Sequence, residues 1–389
     1  MPAEADLKTD VLVIGGGIMG CSTAYFLARA GVDVLLIDRH DLNTQGSGTN
    51  AGSIHVQIIS RFFKSTDPLW VRGRAALLPL LKEAVAFWRR LAPELDDDVE
   101  FKLGGGLMVA ESEAELRVLE SKVAVERAQG VESEMFDRAQ LERVAPYLAP
   151  SVIGAEFCPL EGKVNPIRAT PAIARGAVRA GARVRRGVRL HSLAADKSGF
   201  EAMTSQGRIR ARRVVNAAGP WSNEVATMVG LAIPLERHAR NMAATEPTEP
   251  FVPHLIQHAD QRLTLKQVAN GNLLLGGGWP AVIDAESGRA NVIRAGLSGG
   301  LWIAAHVVPR IRHLRLIRAW SGILFFTPDG NPVLGETPGV PGFFNAVGPN
   351  AGYTGGPLCG KLLAELITGR PLSFDISSFG LERFASRAR

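Results

Sequence analysis

Gly15, Gly17 and Gly20 stand at G-x-G-x-x-G spacing behind the apolar run Asp10 to Ile14, and Asp38 follows about twenty residues on. That spacing is suited to a dinucleotide. Gly15 permits the tight turn, Gly17 lets backbone approach a pyrophosphate, and Gly20 allows close packing of the next helix. Ile18 and Met19 lie within the glycine run, and the N-terminal amides and positive dipole end of the helix that follows attract phosphate. Asp38, with Arg39 beside it, is placed to meet ribose hydroxyls. The other reactive side chains are dispersed: His55, His238, Arg240, Lys266 and Tyr353. Lys266 and Arg240 offer cations for a ligand carboxylate. No acid–base dyad is legible.

The elements that hold these residues can be read around them. Asp10 to Ile14 is a short buried strand, Cys21 to Ala30 a helix stopped by Gly31, and Val32 to Ile37 a second strand ending in Asp38. A small polar stretch follows, including Gly46, Ser47, Asn50, Ala51, Gly52 and Ser53, and it suits contact with phosphates and an extended cofactor. Later, Arg213 to Val215 is a strand opening into Ala217, Ala218, Gly219 and Trp221. Phe343 to Val347 is another, running into the glycine-rich turn that holds Gly348, Asn350, Gly352, Tyr353 and Thr354. A helix is expected from about Leu358 to Ile367, its N-terminus able to stabilise negative charge on a bound ring.

Composition narrows the classes. The 389 residues suffice for two domains, and charged residues at 21% are those of an ordinary globular protein. The net charge is +6, but the arginines are scattered rather than clustered with aromatics, which argues against a nucleic-acid surface. No run of 18 or more apolar residues occurs, so no spanning helix is expected. Cys21, Cys158 and Cys359 lie too far apart for a metal or iron–sulfur site, and a cytoplasmic location is expected.

Taken in order, the four glycine-rich segments resemble the FAD-dependent amine oxidoreductases of the D-amino acid oxidase, sarcosine oxidase and glycine oxidase superfamily, over nearly the whole chain. Ser47 to Gln57 and Asn350 to Pro357 look most like the B subunit of the opine oxidases. The resemblance implies that the N-terminal glycines hold the ADP half of FAD, that the strand at Val188 meets the adenine, and that the C-terminal turn meets the flavin. Glu161 to Pro166 looks like the family segment where the chain returns to the FAD domain. It also implies an α/β fold, α+β in part. A discontinuous Rossmann-type FAD-binding domain (1–85, 145–225 and 321–389) would join a substrate domain (86–144 and 226–320) built on a mostly antiparallel sheet.

Two departures bear on chemistry. Trp320 to Asp329 lacks the cysteine that links FAD in monomeric sarcosine oxidases, so FAD is expected to bind non-covalently. Leu324 occupies the place of the carboxylate-binding arginine of glycine oxidase-like members, which disfavours simple D-amino acids. The implied reaction is oxidation of an opine-type secondary amine to an imine, by one subunit of a hetero-oligomer whose other subunits carry the electron-transfer centres. Alternatives are a sarcosine, D-amino acid or cyclic imino acid dehydrogenase or oxidase, and a flavin-binding subunit without catalysis of its own. His55, Lys266, Arg240 and Tyr353 are the candidates for the substrate site.

Overall fold

The computed structural model describes residues 7–63, 68–348 and 352–387. Its first sheet grows from β1 (Leu7–Ile14), which is followed by α1 (Ile18–Arg29) and β2 (Val34–Asp38). Strand order is Val333–Glu336, Phe343–Val347, Gly207–Asn216, β1, β2 and Arg183–Arg186. From Phe343–Val347 to Arg183–Arg186 every pairing is parallel, and an antiparallel meander, Leu190–Asp196 with Gly199–Thr204, joins at Gly207–Asn216. Alternation along β1 explains the two covered faces. Val11 and Val13 pack with α1 and the helices Pro166–Arg179 and Gly352–Ile367, whereas Leu12 and Ile14 pack with Phe200, Val214 and Phe343.

The second sheet is ordered Leu316–Phe326, Glu236–Thr245, Leu273–Gly276, Thr264–Gln267, Leu255–His258, Gly106–Ala110, Gly154–Cys158 and Glu134–Asp137. All of its pairings are antiparallel except that between Leu255–His258 and Gly106–Ala110. The helix Arg294–Val307 covers it, burying Ile303, Ala304 and Val307. Gly154–Cys158 lies in this sheet, within the 145–225 stretch that the sequence places with the FAD-binding segments, and Leu316–Phe326 runs across the division at 320/321. Between the sheets a short ribbon pairs β3 (Ser53–Ile54) with Gly162–Lys163.

Two local expectations change. The polar stretch after β2 contains one helical turn, α2 (Gly46–Thr49), rather than loop throughout. The last long helix begins at Gly352, six residues before the expected Leu358, so part of the glycine-rich turn is helix. Gly356 explains the difference: it packs where a Cβ would lie 2.8 Å from Ile18, so its smallness serves helix–helix contact rather than a turn.

Candidate functional site

A cavity of about 490 Å³ opens between the two sheets. It is lined by Asp38, Arg39 and Val188, by Gly15, Gly17, Ile18, Met19 and Ser47, and by Gly348, Gly352, His55 and Arg240. The glycine turn is built as the spacing requires. Gly15 has φ +114°, and a Cβ on it would stand 2.3 Å from the Ala217 carbonyl oxygen; one on Gly20 would stand 1.9 Å from the Gly15 carbonyl oxygen. Only glycine satisfies both positions. The chain's own polar groups brace this turn: Asp38 Oδ2 accepts from the Gly16 amide at 2.7 Å, and Ser47 Oγ accepts from the Ile18 amide at 2.9 Å.

Most of the other residues expected at a cofactor also line the cavity. Gly46, Asn50, Ala51 and Ser53 come from the polar stretch; Ala217, Ala218, Gly219 and Trp221 come from the end of Gly207–Asn216. Arg39 lies 4.1 Å from the Trp221 ring centroid, a cation–π contact that keeps the half-buried guanidinium at the cavity wall, while burial lowers its pKa from the usual value. Asn50 is tied up within its own loop, its Nδ2 donating to the Gly46 carbonyl and its Oδ1 accepting from the Gly52 amide. The glycine-lined backbone and the helix N-terminus at the cavity wall fit a dinucleotide.

Several of the expected site residues are engaged by the fold itself. Gly20, Gly52 and Thr354 are not part of the cavity lining. Gly20 packs against the turn, and Gly52 packs against the Val164 carbonyl. Thr354 is buried; its Oγ1 accepts from the His55 amide at 2.9 Å and its carbonyl accepts from Trp88 Nε1, so it fastens the chain around His55. Tyr353 reaches the cavity wall, yet its hydroxyl is engaged by Thr170 Oγ1 at 3.0 Å and the Pro166 carbonyl, and its ring stacks on Trp88. Its phenol is structural. Asn350 lies outside the described residues.

The two cations differ. Arg240 lines the cavity, half-buried, and its Nη1 donates to the Ala239 carbonyl. Among the described residues no carboxylate lies within ion-pair distance of it, and burial, aided by Arg262 and opposed by the more distant Glu236, holds its guanidinium below the usual value. Lys266 does not reach the cavity. It is fully buried behind Ser53, donating to Ser53 Oγ at 2.8 Å, and burial with help from Lys163 pushes its amine well below the ordinary range against the opposing pull of Glu161. The expected pairing of Lys266 with a ligand carboxylate is therefore replaced by support of the cavity wall. His238 turns to Glu236, 3.1 Å away, so it does not share Arg240's role.

Sequence reading did not anticipate Glu161. Its carboxylate is fully buried and gathers the segment beneath His55: Oε1 accepts from the Val56 and Gln57 amides at 2.5 and 2.8 Å, and Oε2 lies 2.9 Å from His55 Nδ1. Nor did it anticipate His258, whose Nδ1 accepts from the Asp260 and Gln261 amides and whose Nε2 meets Glu111 at 3.1 Å. No local signal joins these partners, which stand 106 and 147 residues apart.

The chain matches the family described as "FAD dependent oxidoreductase" (DAO) over residues 10–366. It is 28% identical to the B subunit of opine oxidase from Rhizobium meliloti, over 97% of this chain and 98% of that protein. To glycine oxidase of Geobacillus kaustophilus (strain HTA426) it is 27% identical, over 97% of each. The crystal structure of glycine oxidase from Geobacillus kaustophilus superposes with a TM-score of 0.87 at 26% identity, covering 97% of this chain and 99% of that one.

Proposed function

The chain belongs to the FAD-dependent oxidoreductase family, an enzyme acting on the C–N bonds of amines, and from that premise we propose that its substrate is an opine-type secondary amine. In this reading the amine is oxidised to an imine, which hydrolyses to an amino acid and a 2-oxoacid. The observation that carries the reading is Arg240, a half-buried cation at the cavity wall with no carboxylate partner among the described residues. Such a group favours a ligand that brings its own carboxylate. Likeness to the opine oxidase B subunit supports the secondary-amine class. Leu324 at the same wall supports it against simple amino acids, since an apolar side chain stands where glycine oxidase-like members place an arginine.

FAD, when bound, supplies the acceptor for the substrate's two electrons and its C–H hydrogen. The glycine turn and the α1 N-terminus would hold its phosphates, Asp38 its ribose, and the backbone at Val188, between Arg183–Arg186 and Leu190–Asp196, its adenine. In this reading the first sheet serves as the FAD-binding domain and the second as the substrate domain, which takes in Gly154–Cys158 and Leu316–Phe326 as well as strands from 86–144 and 226–320. Likeness to the opine oxidase B subunit supports further subunits that take the electrons onward; this chain's own three thiols are dispersed and buried. Those thiols are in keeping with work in the cytoplasm; among the described residues no helix is long and apolar enough to cross a membrane. Dye-linked turnover on a panel of opines, sarcosine, glycine, proline and D-amino acids tests the substrate class. Formation of an amino acid and a 2-oxoacid from opines alone is expected, and preference for glycine or a D-amino acid would refute it.

A further inference from the structure

We infer that His55 is the base that takes the proton from the substrate's ammonium group, and that Glu161 is the positioning residue that keeps the imidazole in the form able to do so. The inference rests on the reading of this cavity as an amine-oxidising site. A carboxylated secondary amine arrives at neutral pH as an ammonium ion, with no free lone pair on nitrogen. Its C–N bond cannot be oxidised until one N–H bond breaks. The cavity must therefore offer a proton acceptor, and the donors and acceptors around it indicate which one.

Glu161 is surrounded by donors. The Val56 and Gln57 amides occupy Oε1, and Gln257 Nε2 approaches Oε2 at 3.5 Å beside His55 Nδ1 at 2.9 Å. A carboxylate so placed accepts, and Nδ1 of His55 must carry hydrogen to complete the set. The lone pair is then on Nε2. Glu161 is fully buried while the His55 side chain is 25% exposed and lines the cavity, so the accessible edge of the ring is the one opposite Glu161, the edge that bears Nε2. The His55 amide is itself anchored to Thr354 Oγ1, which fixes the ring's attachment point.

The neighbouring groups do not compete. His258 has Nδ1 occupied by two backbone amides and Nε2 by Glu111. Lys266 sits behind Ser53, and the Tyr353 hydroxyl is held by Thr170 and Pro166. In the proposed step one ammonium N–H bond breaks and an Nε2–H bond forms. The amine keeps the electron pair, and the positive charge moves onto an imidazolium paired with Glu161. Lys266 feels both Glu161 and Lys163, with burial holding its amine well below the ordinary range, and the Cys158 thiol feels Glu161; none of these three side chains, Lys163, Lys266 and Cys158, lines the cavity.

Glu161→Gln tests the arrangement without changing its shape. The amide oxygen must remain on the Val56 and Gln57 N–H groups, because an NH2 there would face two donors. The NH2 then points at His55 Nδ1, which must accept, and the ring proton moves to Nε2 at the cavity. Flavin reduction at saturating substrate and neutral pH should fall about 10²-fold or more. It should recover towards the wild-type rate once pH exceeds the substrate ammonium's own pKa, where the amine arrives already deprotonated. His55→Gln, which leaves Glu161 on its two amides, should show the same loss and the same recovery. Nitrogen-15 NMR of the His55 ring in the flavin-loaded protein, without substrate, should find hydrogen on Nδ1 in the wild type and on Nε2 in Glu161→Gln. An Nε2–H ring in the wild type overturns the inference. So does a rate in His55→Gln within threefold of wild type at neutral pH, or a loss in either variant that persists unchanged at high pH. Failure of every amine to reduce the wild-type flavin would instead refute the amine-oxidising reading, and the NMR result is independent of it.

Discussion

Gly20→Ala is the smallest change that should separate the cofactor turn from the rest of the fold. The added Cβ would lie 1.9 Å from the Gly15 carbonyl oxygen, where ordinary contact begins at 3.4 Å, a shortfall of 1.5 Å. Neither side can yield cheaply. Gly15 is held at φ +114° against the Ala217 backbone, and the Ala217 Cβ stands 3.2 Å from the new carbon. The helix α1 must therefore move away from the turn, taking its N-terminal amides with it. Hydrogen bonds from backbone to a charged phosphate contribute about 1.5–3 kcal/mol each. Losing two of them corresponds to ~10²-fold or more in FAD affinity. Gly31→Ala is the matched control: its φ is +81° with nothing within 4 Å, so it should cost about 1–2 kcal/mol of stability and leave FAD in place. Flavin-to-protein ratio after gel filtration, FAD titration of the apoprotein and thermal melts of both variants make the comparison. Full flavin content in Gly20→Ala with a dissociation constant within twofold of wild type would refute the placement of the pyrophosphate at this turn.

Other expected outcomes can be checked with the same preparations. Tyr353→Phe should lose about 1 kcal/mol of stability through the Thr170 and Pro166 contacts, with flavin spectrum and turnover unchanged, as measured by denaturant melts and absorbance. Lys266→Met should melt higher at neutral pH. Burial depresses the lysine's folded-state pKa, so the unfolded chain binds the extra proton between that value and about 10.4, and wild-type stability rises with pH across this window. The methionine variant should lack that slope; an identical slope would show that Lys266 is not its source. FAD should leave the protein on acid precipitation, giving a colourless pellet and a yellow supernatant.

The dinucleotide site was legible because its parts are close in sequence. Strand, glycines, helix, second strand and Asp38 fall within one βαβ unit, and their spacing alone sets the geometry. The second sheet was anticipated as the mostly antiparallel sheet that the family resemblance implies, and Glu236–Thr245 and Leu273–Gly276 are among its strands. Side-chain roles at the cavity were not. Whether Lys266 reached the ligand depended on Ser53, 213 residues away, and whether Tyr353 offered its hydroxyl depended on Thr170, 183 residues away. Glu161 was visible as part of a segment, but its pairing with His55 exists only because Ser53–Ile54 and Gly162–Lys163 form a ribbon. Register between distant strands is a tertiary property, and no local periodicity encodes it.

In this reading the cavity oxidises a carboxylated secondary amine. Anaerobic titration of the purified flavin-loaded chain with an opine tests it in one spectrum. Loss of the flavin band near one equivalent of substrate is predicted in the wild type, with Arg240→Met needing at least tenfold more substrate for the same bleaching while keeping its flavin, as loss of a charge-assisted bond of about 1.5–3 kcal/mol requires. A flavin that opines leave oxidised, while glycine, proline or a D-amino acid bleaches it, would contradict the account.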